Sequence, residues 1–213
     1  MKYKCIIFDC DGVLVDSEEI SIKILIDMAN SLGVEIDMAY ADINFTGKSL
    51  ESVFIHIEKL AGKKFHENHE RDYRDRTFKA FKSELKPIQG IHSLLNEISV
   101  PYCVASNGPI EKIRLNLSIT NLLDKFQNKI FSAYTIKSWK PDPELFLHAA
   151  NKMGFDPSDC VVIEDSIAGI IAAKKGGFDV FGYAKPSNHE AFEKEGAKVF
   201  FEMETLIDLL NKA

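Results

Sequence analysis

The 213-residue sequence predicts an α/β fold, a doubly wound parallel sheet interrupted by an inserted all-helical domain. Two observations point to the sheet and one to the insert. Four short apolar runs, Cys5-Ile6-Ile7-Phe8, Tyr102-Cys103-Val104-Ala105, Val161-Val162-Ile163 and Asp179-Val180-Phe181-Gly182, are each followed by polar or acidic residues. Runs of this kind suit strands buried on both faces of a parallel sheet. Helical patterns lie between them over 90–98, 110–117, 143–153 and 168–175, and alternating strand and helix implies right-handed crossovers. By contrast, 16–86 has no strand run, and its apolar residues (Ile20, Ile24, Met28; Val53, Ile57, Leu60) recur at helical spacing. At about 70 residues it is too long for a loop. It reads as a helical domain over 16–86 between two parts of one core, 1–15 and 87–213, and ends where Pro87 disfavours helix at Lys86.

Bulk composition narrows the function. With 46% hydrophobic and 27% charged residues the chain can bury a full core. A net charge of −6 argues against nucleic acid or an acidic membrane as partner, because phosphate backbones attract basic surfaces. A small anionic substrate needs only a local pocket of donors. None of Cys5, Cys10, Cys103 and Cys160 forms a Cys-x-x-Cys pair, and three sit in or beside apolar runs, so buried free thiols in a reducing cytoplasm are expected. The first apolar run is far too short for a signal peptide, and no later run approaches bilayer length. A cytoplasmic monomer satisfies all of this.

In a doubly wound sheet the ligand lies beyond the carboxyl ends of the strands. The first run ends Phe8-Asp9-Cys10-Asp11-Gly12-Val13. If extended geometry continues, Asp9 and Asp11 face one space. Carboxylates that close repel each other, and a divalent cation with a taste for hard oxygen, magnesium above all, relieves the repulsion. Two solvated acids in a turn fit the pair equally well. Ser106-Asn107-Gly108 follows the second run, where a hydroxyl and backbone N–H groups can hold phosphate oxygens or simply cap a helix. Lys140 stands in Trp139-Lys140-Pro141-Asp142-Pro143, a stiff loop from which an ammonium could offset acids and a phosphoryl group. Glu164-Asp165 follows the third run, a costly position for two acids unless they are solvated or bind a cation.

The order Asp-x-Asp-Gly, Ser-Asn, Lys-Pro, Glu-Asp is the signature of the haloacid dehalogenase superfamily, which the sequence resembles along its whole length. The helical insert resembles the C1 cap of the β-phosphoglucomutase-like branch. Ser106-Asn107-Gly108-Pro109 and Phe131-Ser132, with the Trp139 to Pro143 segment, are most similar to bacterial sugar-phosphate phosphatases of the 6-phosphogluconate phosphatase kind. The resemblance implies Asp9 as nucleophile, Asp11 as general acid and base, and a phosphoryl clamp of Ser106, Asn107 and Lys140. It also implies Mg2+ held by Asp9, Asp11 through its carbonyl, Asp165, and Glu164 directly or through water. Lys48, in Thr46-Gly47-Lys48, falls where related caps place a substrate-contacting loop.

The implied activity is Mg2+-dependent hydrolysis of a small phosphorylated metabolite, a sugar or sugar-acid phosphate such as 6-phosphogluconate, through an aspartyl-phosphate. A phosphomutase is the rival, but its cap-hinge histidine aligns with Ser21, and no histidine occurs between Asp9 and His56. A metal-free dehalogenase would not need Asp11 and the Glu164-Asp165 pair. A phospho-aspartate signalling module would be about half this length. Arg71, Arg74, Arg76, Lys79 and Lys82 alternate with acids as on a solvated helix face, and His66 and His69 lack a third metal ligand.

Overall fold

The computed structural model describes residues 2–46 and 48–212. Its first strand, β1 (Cys5–Phe8), is wholly buried. Such a strand can satisfy its backbone only between two neighbours. A tight loop leads to β2 (Val15–Asp16), then to α1 (Glu18–Ser31), α2 (Met38–Asn44), α3 (Leu50–Ala61) and α4 (His69–Glu84). The chain returns at β3 (Lys86–Pro87), which pairs antiparallel with β2. After it come α5 (Ile91–Glu97), β4 (Tyr102–Ser106), α6 (Ile110–Ile119), β5 (Ile130–Ser132), α7 (Ala133–Ile136) and α8 (Glu144–Met153). The last elements are β6 (Cys160–Glu164), α9 (Ile167–Lys175), β7 (Asp179–Tyr183), α10 (His189–Lys194), β8 (Lys198–Phe200) and α11 (Leu206–Lys212).

The main sheet has six strands in the order β5-β4-β1-β6-β7-β8, and every pairing in it is parallel. The four apolar runs became its four inner strands. The two edge strands, β5 and β8, carry no comparable sequence signal. Each is only three residues long and includes a polar residue, the buried Ser132 in β5 and the exposed Lys198 in β8. On one face Cys5, Ile7, Cys103, Ala105, Val162 and Val180 pack with Leu145, Phe146, Ala149 and Ala150 of α8 and Ile170 and Ala173 of α9. On the other, Phe8 meets Tyr102 and Phe126 edge to face. All four cysteines are buried free thiols.

The chain divides into two units, 1–16 with 86–213, and 17–85. The second is all helical and has its own core, built on Ile22, Leu25, Met28, Val53, Phe54 and Ile57. Ser49 caps α3 by accepting the Ser52 N–H at 3.2 Å, and Gly62 ends that helix at φ +65°. On α4, Arg71 and Arg74 pair with Asp75 and Glu70 on an outward face, while Thr77 and Phe81 are buried. His66 contacts Asp72, and His69 contacts the His66 carbonyl. Among the described residues no helix is long and apolar enough to cross a membrane.

Candidate active site

Parallel pairing gathers the carboxyl ends of the strands at one edge of the sheet. Phe8 lies opposite Val104 and Ile163, and the Asp9 N–H donates to the Ile163 carbonyl at 2.9 Å. The residues that end or follow the adjacent strands β1, β4 and β6, namely Asp9, Ser106 and Glu164, therefore share that edge. Beyond Phe8 the backbone does not stay extended. The Cys10 carbonyl accepts the N–H groups of Leu14 and Val15, and Gly12 turns with φ +82°. Strand alternation therefore does not set the direction of Asp11; Asp9 bonds Lys140 and Asp11 bonds Lys112 and Asn116, while the Asp11 charge still acts on Asp9. A Cβ on Gly12 would lie 1.8 Å from Asp165 Oδ2, so the Asp165 carboxylate rests against this turn where only glycine leaves room.

Lys140 is the hub. Its ammonium bonds Asp9 Oδ1 at 2.5 Å and Glu164 Oε1 at 2.6 Å, over the ring of Phe146. Its side chain is only 3% exposed. The loop that delivers it is anchored by its own backbone N–H, which donates to Asn107 Oδ1 at 3.0 Å. Glu164 Oε2 accepts the N–H groups of Asp165 and Ser166 and the Ser166 hydroxyl, at 3.0, 2.9 and 2.8 Å. Both Glu164 oxygens thus accept from protein donors, and one of them holds Lys140. The same Ser166 hydroxyl caps α9 by accepting the Gly169 N–H. A Cβ on Gly169 would come within 1.9 Å of the Glu164 carboxyl.

Burial lifts the Asp9 carboxyl to about 7; Lys140 opposes the shift, and the charges of Glu164 and Asp11 add to it. For Lys140, burial favours the neutral amine, but Asp9 and Glu164 outweigh it and hold the ammonium above its ordinary value. Cys10 is kept a protonated thiol by burial and by Asp11 and Asp9, which removes it as a nucleophile.

Ser106, the last residue of β4, is buried and accepts the Gly108 N–H at 3.1 Å. The Ser132 hydroxyl donates to the Gly108 carbonyl at 2.7 Å and accepts the Tyr134 N–H, tying the end of β5 to the Ser106-Asn107-Gly108 turn. Asp11 is held by α6: Lys112 Nζ lies 2.7 Å from its Oδ2, and Asn116 Nδ2 donates to its Oδ1 at 3.2 Å. Among the described residues there is no group of three or more His, Cys, Asp or Glu arranged to hold a metal.

The structure therefore brings Asp9, Lys140 and Glu164 into contact, with Asn107 bonded to the Lys140 backbone and Asp165 against Gly12. Lys48 belongs to the helical unit, exposed just before α3, and Gly47 beside it lies outside the described residues. Sequence reasoning passed over Lys112, Asn116, Ser166 and Gly169, and it quoted Ser132 for the resemblance without giving it a role. One signal was available: Asn116 interrupts the buried stripe of Ile113 and Leu117 on α6.

A buried aspartate and lysine thus meet at the carboxyl edge of the sheet, where folds of this kind bind their ligands. A family model for haloacid dehalogenase-like hydrolases matches residues 6–183, and the chain belongs to that family. It is 35% identical over 189 residues to 6-phosphogluconate phosphatase of Escherichia coli (strain K12), covering 88% of this chain and 86% of that protein. It is 28% identical over 190 residues to hexitol phosphatase B of the same organism, covering 79% and 78%. A solved haloacid dehalogenase-like protein of unknown function from Agrobacterium tumefaciens superposes with a TM-score of 0.91 at 28% identity, over 99% of this chain and 98% of that one.

Proposed function

We propose that this phosphoric monoester hydrolase of the haloacid dehalogenase-like family removes phosphate from a sugar or sugar-acid phosphate, with 6-phosphogluconate the first candidate. The observation that carries the reading is the buried Asp9–Lys140–Glu164 triad at the end of β1. The substrate class is supported by the two sugar-phosphate phosphatases the chain is similar to.

The Asp9 carboxylate attacks phosphorus in line and forms an aspartyl-phosphate as the bond to the leaving oxygen breaks. Asp11 gives that oxygen its proton, then takes one from the water that opens the intermediate. Lys140 offsets charge on the phosphoryl oxygens, with Ser106 and the backbone after it as further donors.

The oxygens assigned to the cation are hard ligands: the Asp9 carboxylate, the Asp165 carboxylate beside Gly12 and the Asp11 carbonyl. This set fits Mg2+, which is commonly bound by one or two carboxylates and keeps several waters, so three clustered acids are not needed. Bound there, the cation would neutralise charge on Asp9 and on the phosphoryl group. Ser21, at the position of a phosphomutase's hinge histidine, favours water as the final acceptor.

The test is phosphate release, with and without Mg2+, from a panel of hexose phosphates, sugar-acid phosphates, phosphoglycolate and nucleoside monophosphates. Turnover should need Mg2+, favour the sugar derivatives and vanish in Asp9→Asn. Wild-type turnover by that variant would remove Asp9 as nucleophile, and a preference for nucleotides would overturn the substrate class.

A further inference from the structure

Lys112 and Asn116 stand four residues apart on α6 and so present to one side of the helix. Each takes a different oxygen of the Asp11 carboxylate, Lys112 the Oδ2 at 2.7 Å and Asn116 the Oδ1 at 3.2 Å. Two donors on two oxygens fix the rotation of the carboxyl plane, which one donor would leave free. Asn116 is fully buried, and its own Oδ1 has no hydrogen-bond partner among the described residues. An amide left half unmet in an apolar stripe is poorer packing than leucine. Its place is accounted for by the bond to Asp11 instead.

We propose that Lys112 and Asn116 are positioning residues that aim the Asp11 carboxyl at the leaving oxygen. The inference rests on the assignment of Asp11 as general acid and base. A misaimed acid delivers its proton poorly while the P–O bond breaks. The penalty is large for a sugar alkoxide and small for p-nitrophenolate, which departs as a stable anion. A purely structural role would lower both reactions by one factor.

The experiment compares kcat on a hexose 6-phosphate with kcat on p-nitrophenyl phosphate, in the Mg2+-loaded full chain. Lys112→Met and Asn116→Leu should each lower the ratio of the two at least about tenfold, part of the range general acid catalysis supplies, with KM little changed. Lys112→Arg should restore the ratio. Equal losses on both substrates would overturn the proposal. So would an effect confined to KM for substrates that bear a carboxylate, since Lys112 would then be a substrate contact. The two variants remove different atoms, so misfolding of one leaves the other decisive. Asp9→Asn is measured alongside. Activity in that control would break the underlying mechanism, whereas an inactive control with an unchanged ratio would break only the assignment of the α6 pair.

Discussion

Lys140 shows how one residue serves both fold and chemistry. It is buried between the carboxylates of Asp9 and Glu164, so removing it leaves two acids without their cation. Breaking a buried pair by deleting one partner costs about 3–5 kcal/mol. Lys140→Met should therefore abolish turnover and also lower the urea midpoint of the metal-free protein; an unchanged midpoint would mean that the acids are compensated in some other way. Gly169 gives the reverse pattern. Alanine favours helix over glycine by up to about 1 kcal/mol, yet its Cβ would fall 1.9 Å from the Glu164 carboxyl. Gly169→Ala should keep its thermal midpoint within a few degrees while kcat drops roughly 100-fold, the scale of a 1 Å misplacement. Full activity would mean that Glu164 can move without carrying Lys140 with it.

At the scale of elements, the site is assembled by hydrogen bonds between strand ends. Ser132, ending β5, donates to the carbonyl of Gly108, beyond the end of β4, and Asn107 in the same turn holds the backbone of Lys140. Ser132→Ala should cost about 1 kcal/mol in stability, the usual worth of such a bond, and should raise KM for phosphate esters. Denaturant titration and steady-state kinetics test the two halves separately, and an unaffected KM would detach β5 from the phosphate clamp. The inner strands were legible because burial on both faces demands continuous apolar runs. β5 was not, since three residues, two of them half-covered, carry no period that sets them apart from a loop.

The whole molecule carries the charge balance of the site as a dependence on pH. Asp9 titrates near 7 in the folded protein against about 4 in an unfolded chain. The folded state thus holds this proton more tightly. Its contribution to stability is fully present below about pH 4 and is withdrawn as the pH climbs to about 7. For the metal-free protein, the drop in thermal midpoint between about pH 5 and pH 7.5 should be larger in wild type than in Asp9→Asn. Mg2+ at the higher pH should restore wild type and leave the variant unchanged. Equal slopes for the two would show that Asp9 is solvated in the folded protein.

Spacing along the chain was enough to determine the α/β class, the helical insert and the identity of Asp9, Ser106, Lys140 and Asp165 as candidates. Those features are local: apolar runs, helical periods, and chemistry placed directly after a strand. Tertiary structure decided what each candidate touches. Only the fold could bring Asp11 against Lys112 and Asn116, which lie 101 and 105 residues further along. It likewise filled both oxygens of Glu164 with protein donors. Contacts across such separations depend on strand order and on a turn at Gly12, and neither leaves a periodic trace in the residues it brings together.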